Sequence, residues 1–486
     1  MIAPQHAHAA TSQPANGALP ERRLSLIDTT SMIVGIIIGS GLYETTPVIA
    51  GNVPSAAWLV GGWLLGGVFA LIGSLCYAEL ATAYPADGGD YVFLTRAFGR
   101  IVGFLFAWAQ LWVIRPGSIG AMAYVFGRYA TQLYPFSPLA MTLRGDTTLT
   151  ITSFTIYAAG AVAIISAINI LGVREGKWTQ NILTLSKLVG LAIVVIVGLT
   201  STGPAPAPAP VPELALDSAV AAASQASTNL GLALILIVFT YGGWNDIAYV
   251  AAEVRSPERN ILRALLLGVL AVATVYLAVN LAFLHALGRS GIAASDAVAA
   301  DVCSLALGAP GRKGIAILIC ISTLGAINGM IFTGARIYYA MGRDHSLFAL
   351  LGRWNLRFGT PVVSLLMQAA CTLAAVIGFG AVSDDAVPGS GFQRLIDFTT
   401  PVFWCFLLLS GVSLLVLRRR EPAQPRPFRV PWFPFTPLLF CAGAATIVCA
   451  GVAHAIEVGS SAALWAGALM AAGVPLALAS RRQLTS

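Results

Sequence analysis

Gly35-Ile36-Ile37-Ile38-Gly39-Ser40-Gly41-Leu42 and Phe239-Thr240-Tyr241-Gly242-Gly243-Trp244-Asn245-Asp246 are two glycine-interrupted stretches, each set inside a long apolar run. Glycine costs about 1 kcal/mol relative to alanine inside a helix, so the glycines weaken helix at matching places in the two runs. In lipid, an unwound stretch frees backbone N–H and C=O groups that hydrocarbon cannot satisfy, and these are tolerated only inside protein or facing a cavity. The two breaks together predict one shared hollow.

The rest of the chain makes lipid the solvent. Its 486 residues are 57% hydrophobic and 10% charged, against about 25% charged for a soluble domain, which excludes a water-soluble globule. The apolar runs are continuous rather than alternating and close to the ~20 residues that a membrane helix needs, so the fold class is an all-α membrane protein and not a β-barrel. About twelve spans are expected, at roughly 26–50, 56–83, 98–132, 152–172, 178–200, 229–253, 262–287, 313–342, 361–381, 393–417, 435–454 and 461–480. The net charge of +7 fits loops facing anionic lipid rather than nucleic acid. The seven cysteines, mostly inside apolar runs and without a Cys-x-x-Cys pair, read as small buried residues.

An even span count puts both termini on one side of the membrane. With the termini cytoplasmic, most Lys and Arg fall on the inner segments, whereas the outer ones hold only Arg144, Arg289, Arg312, Lys313 and Arg394. The run from Gly203 to Pro210 alternates Pro and Ala and predicts an extended external spacer. It divides two halves of similar hydropathy. The expected organisation is a cytoplasmic tail at 1–20, a first five-helix repeat at 21–200, an external loop at 201–228, a second repeat at 229–417, and two further helices with a tail at 418–486. Five is odd, so the repeats enter the membrane from opposite sides, an inverted repeat.

The polarity of the freed groups indicates a guest. N–H groups opening an outer half-helix attract an anion, and carbonyls closing an inner half-helix attract a cation. The α-amino acid backbone carries both charges. Gly39, Ser40 and Gly41 are the expected donors to its carboxylate, with the carbonyls of Ile37, Phe239 and Gly242 facing its ammonium.

Further motifs extend this pattern: Pro85-Ala86-Asp87-Gly88-Gly89-Asp90-Tyr91, Arg96-Ala97-Phe98-Gly99, Ile114-Arg115-Pro116-Gly117, Glu253, Pro257-Glu258-Arg259-Asn260, the run from Ser322 to Gly329, Arg336, Thr360-Pro361 and Arg426-Pro427-Phe428-Arg429-Val430. With the two broken stretches they resemble the amino acid–polyamine–organocation superfamily over nearly everything after residue 20. Within it, the chain is most similar to the L-type amino acid transporter light chains and bacterial relatives such as serine/threonine exchangers. The resemblance implies the leucine-transporter-type fold of five plus five helices in inverted repeat plus two C-terminal helices, with substrate at mid-membrane between spans 1, 3, 6, 8 and 10. It implies Phe239 as an aromatic gate, Asn245 as a pocket residue, Trp404 as a pocket tryptophan, and Lys187 as a cation standing where other relatives hold sodium.

A charged side chain at mid-bilayer costs about 2.5–3.5 kcal/mol on insertion scales and marks a pathway or a pair. Lys187, inside Leu183-Thr184-Leu185-Ser186-Lys187-Leu188-Val189, is therefore either a fixed cation bracing unwound backbone or a proton carrier, and Ser322 and Thr323 could supply oxygens near it. Arg115, next to the kink-forming Pro116, reads as scaffold or as an anchor for a carboxylate. Asp246 either stabilises the start of the second half of span 6 or selects cationic substrates from the pocket. Glu253, Arg255, Glu258 and Arg259 form a mixed-charge inner end suited to a cytoplasmic gate or to surface pairs. No carboxylate cage for sodium, no metal-ligating group and no cofactor motif is legible, and the scattered His6, His8, His285, His345 and His454 do not build a catalytic centre. The expected function is secondary active transport of neutral amino acids by exchange, with proton symport or export and antiport of cationic amino acids as alternatives, and not an enzyme or a channel. The segment 131–150, where animal light chains join a heavy chain, contains no cysteine, so no disulfide-linked partner is expected. A bacterial inner membrane is the expected location.

Overall fold

The computed structural model describes residues 21–136, 139–142, 148–201, 229–381, 390–457 and 461–480. The expected tail at 1–20 and the Pro/Ala spacer lie outside them. Ser25 starts the helical part with a capping box: Asp28 N–H donates to its hydroxyl, and its own N–H donates to Asp28 Oδ2 at 2.9 Å. Helix α1 (Leu26–Ile37) stops there, and after Ile38–Ser40 helix α2 (Gly41–Asn52) continues at a 46° bend. Then come α3 (Ala56–Ala83), the short α4 (Asp90–Phe98), and α5 (Arg100–Ala109), which passes through a π turn at Gln110–Ile114 into α6 (Arg115–Leu133). Strands β1 (Leu139–Thr142) and β2 (Thr148–Ile151) pair antiparallel before α7 (Ser153–Leu171) and α8 (Val173–Thr200). Helix α9 (Leu230–Thr240) ends at the second break and is followed by 3-10 turns at Trp244–Tyr249 and Ala251–Glu253. Helices α10 (Pro257–Ala293), α11 (Val298–Asp344), α12 (Val362–Ala381), α13 (Ser390–Arg420), α14 (Phe435–Glu457) and α15 (Ser461–Ala479) complete the chain.

Among the described residues nine helices are long and apolar enough to cross a membrane, or ten if the bent α1–α2 pair is one span. The α5–α6 unit and the shorter α15 carry the other two expected apolar runs. Among the described residues the fold is all-helical, as expected, apart from the short β1–β2 hairpin. Span 3 also differs. Gly99, at φ 94°, separates α4 from α5, and a π turn stands just before Pro116, where a backbone lacking the proline N–H can shift its ladder. The second half of span 6 is 3-10 rather than α because its backbone is drawn into bridges, Asp87 with Val250 and Leu24 with Val254.

Helix α11 is buried along most of its length and organises the interior. A polar ladder fixes it against its neighbours: Asn328 Nδ2 donates to Gln180 Oε1 at 2.8 Å and to Gly176 O at 3.0 Å, and Asn169 Nδ2 donates to Asn328 Oδ1 at 2.8 Å. At the end of the bundle that carries the N-terminal segment, buried ion pairs hold the helix ends. Arg336 Nε donates to Glu253 Oε1 at 2.7 Å, both side chains being 1% exposed. Glu79 accepts from Arg418 Nε and from Val430 N–H, each at 2.7 Å, which explains why the basic motif ending at Val430 folds back onto α3. Leu24 N–H donates to Glu253 O and Arg255 N–H to Leu24 O, both at 2.9 Å, so the residues ahead of α1 are stitched to those after the second break. Of the mixed-charge group, Glu253 is buried in its pair, while Arg255, Glu258 and Arg259 lie at the surface. Asp87 is buried close by, in the loop before α4; burial first, and Glu253 second, push its carboxyl up to about 8.

Removing one partner of a buried pair leaves an uncompensated charge at a cost of about 3–5 kcal/mol. Glu79→Leu should therefore lower the melting temperature of the protein in detergent sharply, and adding Arg418→Leu should restore part of it; an unchanged melting temperature for Glu79→Leu would show the pair to be idle. Asp87→Asn should raise the melting temperature at pH 9, where the native carboxyl is ionised against its surroundings. The gain should shrink as pH falls through about 8, because the native protein then holds the proton that the folded state favours.

Candidate functional site

Helix α1 ends in the middle of the bundle, so its last carbonyls need partners and carry the negative end of the helix dipole. Lys187, fully buried on α8, supplies them: its Nζ donates to Gly35 O at 2.8 Å, Ile38 O at 2.7 Å and Ser322 O at 3.0 Å. All three ammonium hydrogens have an acceptor. Ser322 Oγ lies 3.0 Å from both Ile38 O and Gly39 O, whereas Thr323 bonds to its own helix at Ile319 O and Cys320 O. A Cβ on Gly325 would lie 2.9 Å from Lys187 Nζ, so only glycine lets α11 approach the ammonium this closely.

The second break is held from α10. Tyr276 is fully buried, with its hydroxyl 3.0 Å from Ile37 O and 3.2 Å from Thr240 O, one atom touching the end of α1 and the end of α9. Gly243, at φ 110°, takes the left-handed conformation that turns the chain out of α9.

Between the breaks lies a cavity of about 140 Å³, walled by α6, α11 and α13 as well. Ile37, Gly39, Ser40, Gly41, Phe239 and Gly242 all line it. Their peptide groups are not equally free. Gly39 N–H turns back to Ile37 O at 2.8 Å, and Gly242 N–H reaches Phe239 O at 2.9 Å. Among the described residues the N–H groups of Ser40, Gly41 and Leu42, which open α2, have no acceptor, and the Gly242 carbonyl has no donor. Ser40 and Gly41, at a helix N-terminus, line the cavity together with Gly242 and its bare carbonyl, a pairing suited to an anion and a cation, whereas Leu42 is fully buried and outside the lining.

Asn245 and Trp404 do not join this group. They line a smaller adjoining cavity that shares Gly242 and Phe403 with the main one, where Asn245 Nδ2 donates to Tyr249 Oη at 3.0 Å and Trp404 Nε1 is buried without an acceptor among the described residues. Successive helical residues point about 100° apart, so Phe403 and not Trp404 faces the main cavity. Arg115 and Asp246 both reach it and pair with one another, Nη1 to Oδ2 at 2.7 Å. Reading the sequence alone passed over Tyr276 and Thr240; the available signal is a tyrosine in an apolar span, whose hydroxyl must find a buried partner.

The model of the amino acid permease family matches residues 24–472. The chain belongs to that family. It is similar to the human b(0,+)-type amino acid transporter 1, at 29% identity over 85% of this chain and 79% of the relative. It is also similar to the mouse large neutral amino acids transporter small subunit 2, at 28% identity over 89% of this chain and 77% of the relative. As family membership implies, it is a multi-pass membrane protein and not an enzyme.

Tyr276→Phe removes the hydroxyl that lies between the two breaks and, because Ile37 O keeps the Gly39 N–H, leaves the buried Thr240 carbonyl without a donor among the described residues, at a cost of about 1–3 kcal/mol. Binding of an amino acid, followed by titration calorimetry on the purified protein, should weaken about tenfold or more, with the helical circular dichroism unchanged. Binding equal to wild type would show that the hydroxyl does not hold the site.

Proposed function

We propose that the protein is a secondary active transporter that exchanges neutral α-amino acids by alternating access, with the carboxylate on the Ser40 and Gly41 N–H groups and the ammonium toward the Gly242 carbonyl. The observation that carries this reading is that residues with unpaired peptide groups from both breaks, Ser40 and Gly41 on the one hand and Gly242 on the other, line the same cavity. Phe239, at the cavity wall, serves as the gate over the substrate. Lys187 acts as a fixed cation: with all three of its hydrogens engaged by carbonyls, it braces the end of α1 rather than carrying a proton across. Export of cationic amino acids finds less support, because the acidic group on the cavity wall, Asp246, already neutralises Arg115.

Two halves, 21–200 and 229–417, each beginning with a broken helix, support an inverted repeat followed by the 418–486 extension. The distribution of Lys and Arg supports cytoplasmic termini. Although one relative is named a small subunit, segment 131–150 of this chain has no cysteine, so the transporter works without a disulfide-linked heavy chain.

Purified protein in liposomes tests the exchange: uptake of labelled amino acid should saturate and should accelerate when unlabelled amino acid is loaded inside. Saturable uptake indifferent to internal substrate would overturn exchange, and unsaturable flux carrying ionic current would overturn transport itself. Gly41→Val places side-chain carbon on the carboxylate position and against Thr240, whose Cγ2 already lies 3.1 Å from the Cβ position. It should abolish binding while the protein still inserts and elutes as a single species, and undiminished binding would remove Gly41 from the site.

A further inference from the structure

The loop that carries Asp87 and Asp90 packs on the segment after the second break and holds Tyr249. Gly88 N–H donates to Tyr249 O at 3.0 Å, and Asp87 bridges Val250. Gly89, at φ 46°, leaves no room for a side chain, since a Cβ there would lie 2.8 Å from the Ala248 carbonyl carbon. Asp90 follows as the first residue of α4, 2% exposed, and its Oδ2 accepts from Tyr249 Oη at 2.8 Å. Tyr249 in turn accepts from Asn245 Nδ2 at 3.0 Å, lines the main cavity and stacks at 5.2 Å on the Arg115 guanidinium. A short hydrogen-bonded chain therefore joins the cavity wall to a buried carboxyl in the loop region.

Asp28, Glu79, Asp246 and Glu253, buried as Asp90 is, each pair with a lysine or an arginine. Among the described residues no cation pairs with Asp90, and its Oδ1 has no donor. It is faced by Tyr249, by Tyr77 on α3 and Ser410 on α13, and by Asp246, whose charge Arg115 on α6 balances. The charged groups on the other elements packed against α4 are engaged elsewhere: Arg100 on α5 with Ser480 O, Arg336 and Asp344 on α11 with Glu253 and Tyr91, and Arg418 and Arg420 on α13 with Glu79 and Ala97 O. A carboxylate buried without a counter-charge is costly, and the neutral acid relieves that cost. Burial pushes the Asp90 carboxyl up to about 6, with the three hydroxyls opposing the rise and Asp246 adding to it.

We propose that Asp90 is a proton-binding site that ties opening of the bundle to pH: the carboxyl holds a proton while its loop stays packed on Tyr249, and releases it to water when the end that carries the N-terminal segment opens. This rests on the reading of the chain as an exchanger that works by alternating access. A hydrated aspartate titrates near about 3.9, so opening releases a proton between about 4 and 6, and acid favours the closed arrangement. Opening is then about tenfold less favourable at pH 5 than at pH 7, where the carboxyl is ionised in both arrangements.

Exchange of a labelled amino acid by the purified full-length protein in liposomes, with the same pH on both faces, tests this. Wild-type exchange should fall about tenfold from pH 7 to pH 5. Asp90→Asn keeps an acceptor for Tyr249 but takes up no proton, so it should exchange at pH 7 as slowly as wild type does at pH 5, with no step between. Asp87→Asn, which removes a carboxyl pushed up to about 8, should keep the step. Tyr249→Phe removes a hydroxyl that holds the Asp90 carboxyl down, and should move the step to higher pH. A wild-type rate flat from pH 5 to pH 7, or a step that survives in Asp90→Asn, would overturn the proposal. If Asp90→Asn does not fold, a step left in place or lowered by Tyr249→Phe overturns it. Absence of saturable exchange at every pH overturns instead the reading of the chain as an exchanger, so the two failures are distinct.

Discussion

A helix that stops halfway through a membrane is possible here because Lys187 completes it. The terminal carbonyls of α1 would otherwise face low-dielectric protein without donors, and the ammonium that satisfies Gly35 and Ile38 would itself be prohibitive to bury without them. Each defect is the other's remedy. Because the third hydrogen goes to Ser322 on α11, the break is pinned to the most buried of the described spans, and Ser40 and Gly41 at the start of α2 are left at the cavity wall.

Tyr276 extends this constraint to the second break. Its hydroxyl lies between Ile37 O and Thr240 O, so the two unwound stretches are held side by side at the wall of one cavity. A ligand that engages both α2 and the segment after α9 therefore differs in affinity between arrangements that keep the breaks together and those that separate them, and such differential binding is the sole means by which a substrate shifts a conformational equilibrium. At the other end of the bundle, Arg336–Glu253 and the Leu24 bridge join the residues before α1 to those after the second break, so movement at the cavity and opening at that end share the same two segments.

Much of the architecture was legible because glycine spacing, continuous apolar runs and lone membrane charges report directly on what lipid forbids. The breaks near Gly39 and Gly242, the helical character and the buried position of Lys187 follow from that constraint. What was not legible depends on contacts distant in sequence. The 3-10 form of Trp244–Tyr249 comes from backbone bridges to Leu24 and Asp87, and the partner of Asp246 is an arginine more than a hundred residues away. Asn245 and Trp404 face a second hollow because a rotation of one residue along a helix changes which wall a side chain belongs to, and periodicity alone does not set that phase. The free donors begin at Ser40 rather than Gly39 because Gly39 N–H closes a local turn, a detail of a few ångströms that composition does not encode.

The account stands on peptide groups from two helices jointly holding a zwitterion, and calorimetric titration of the purified protein with a bound amino acid, its methyl ester and its N-acetyl derivative addresses that claim most directly. Both derivatives keep the side chain and each removes one charge. The account predicts that either change weakens binding about a hundredfold, the loss of one charge-assisted interaction in a buried site; a derivative that binds as tightly as the parent amino acid would contradict it.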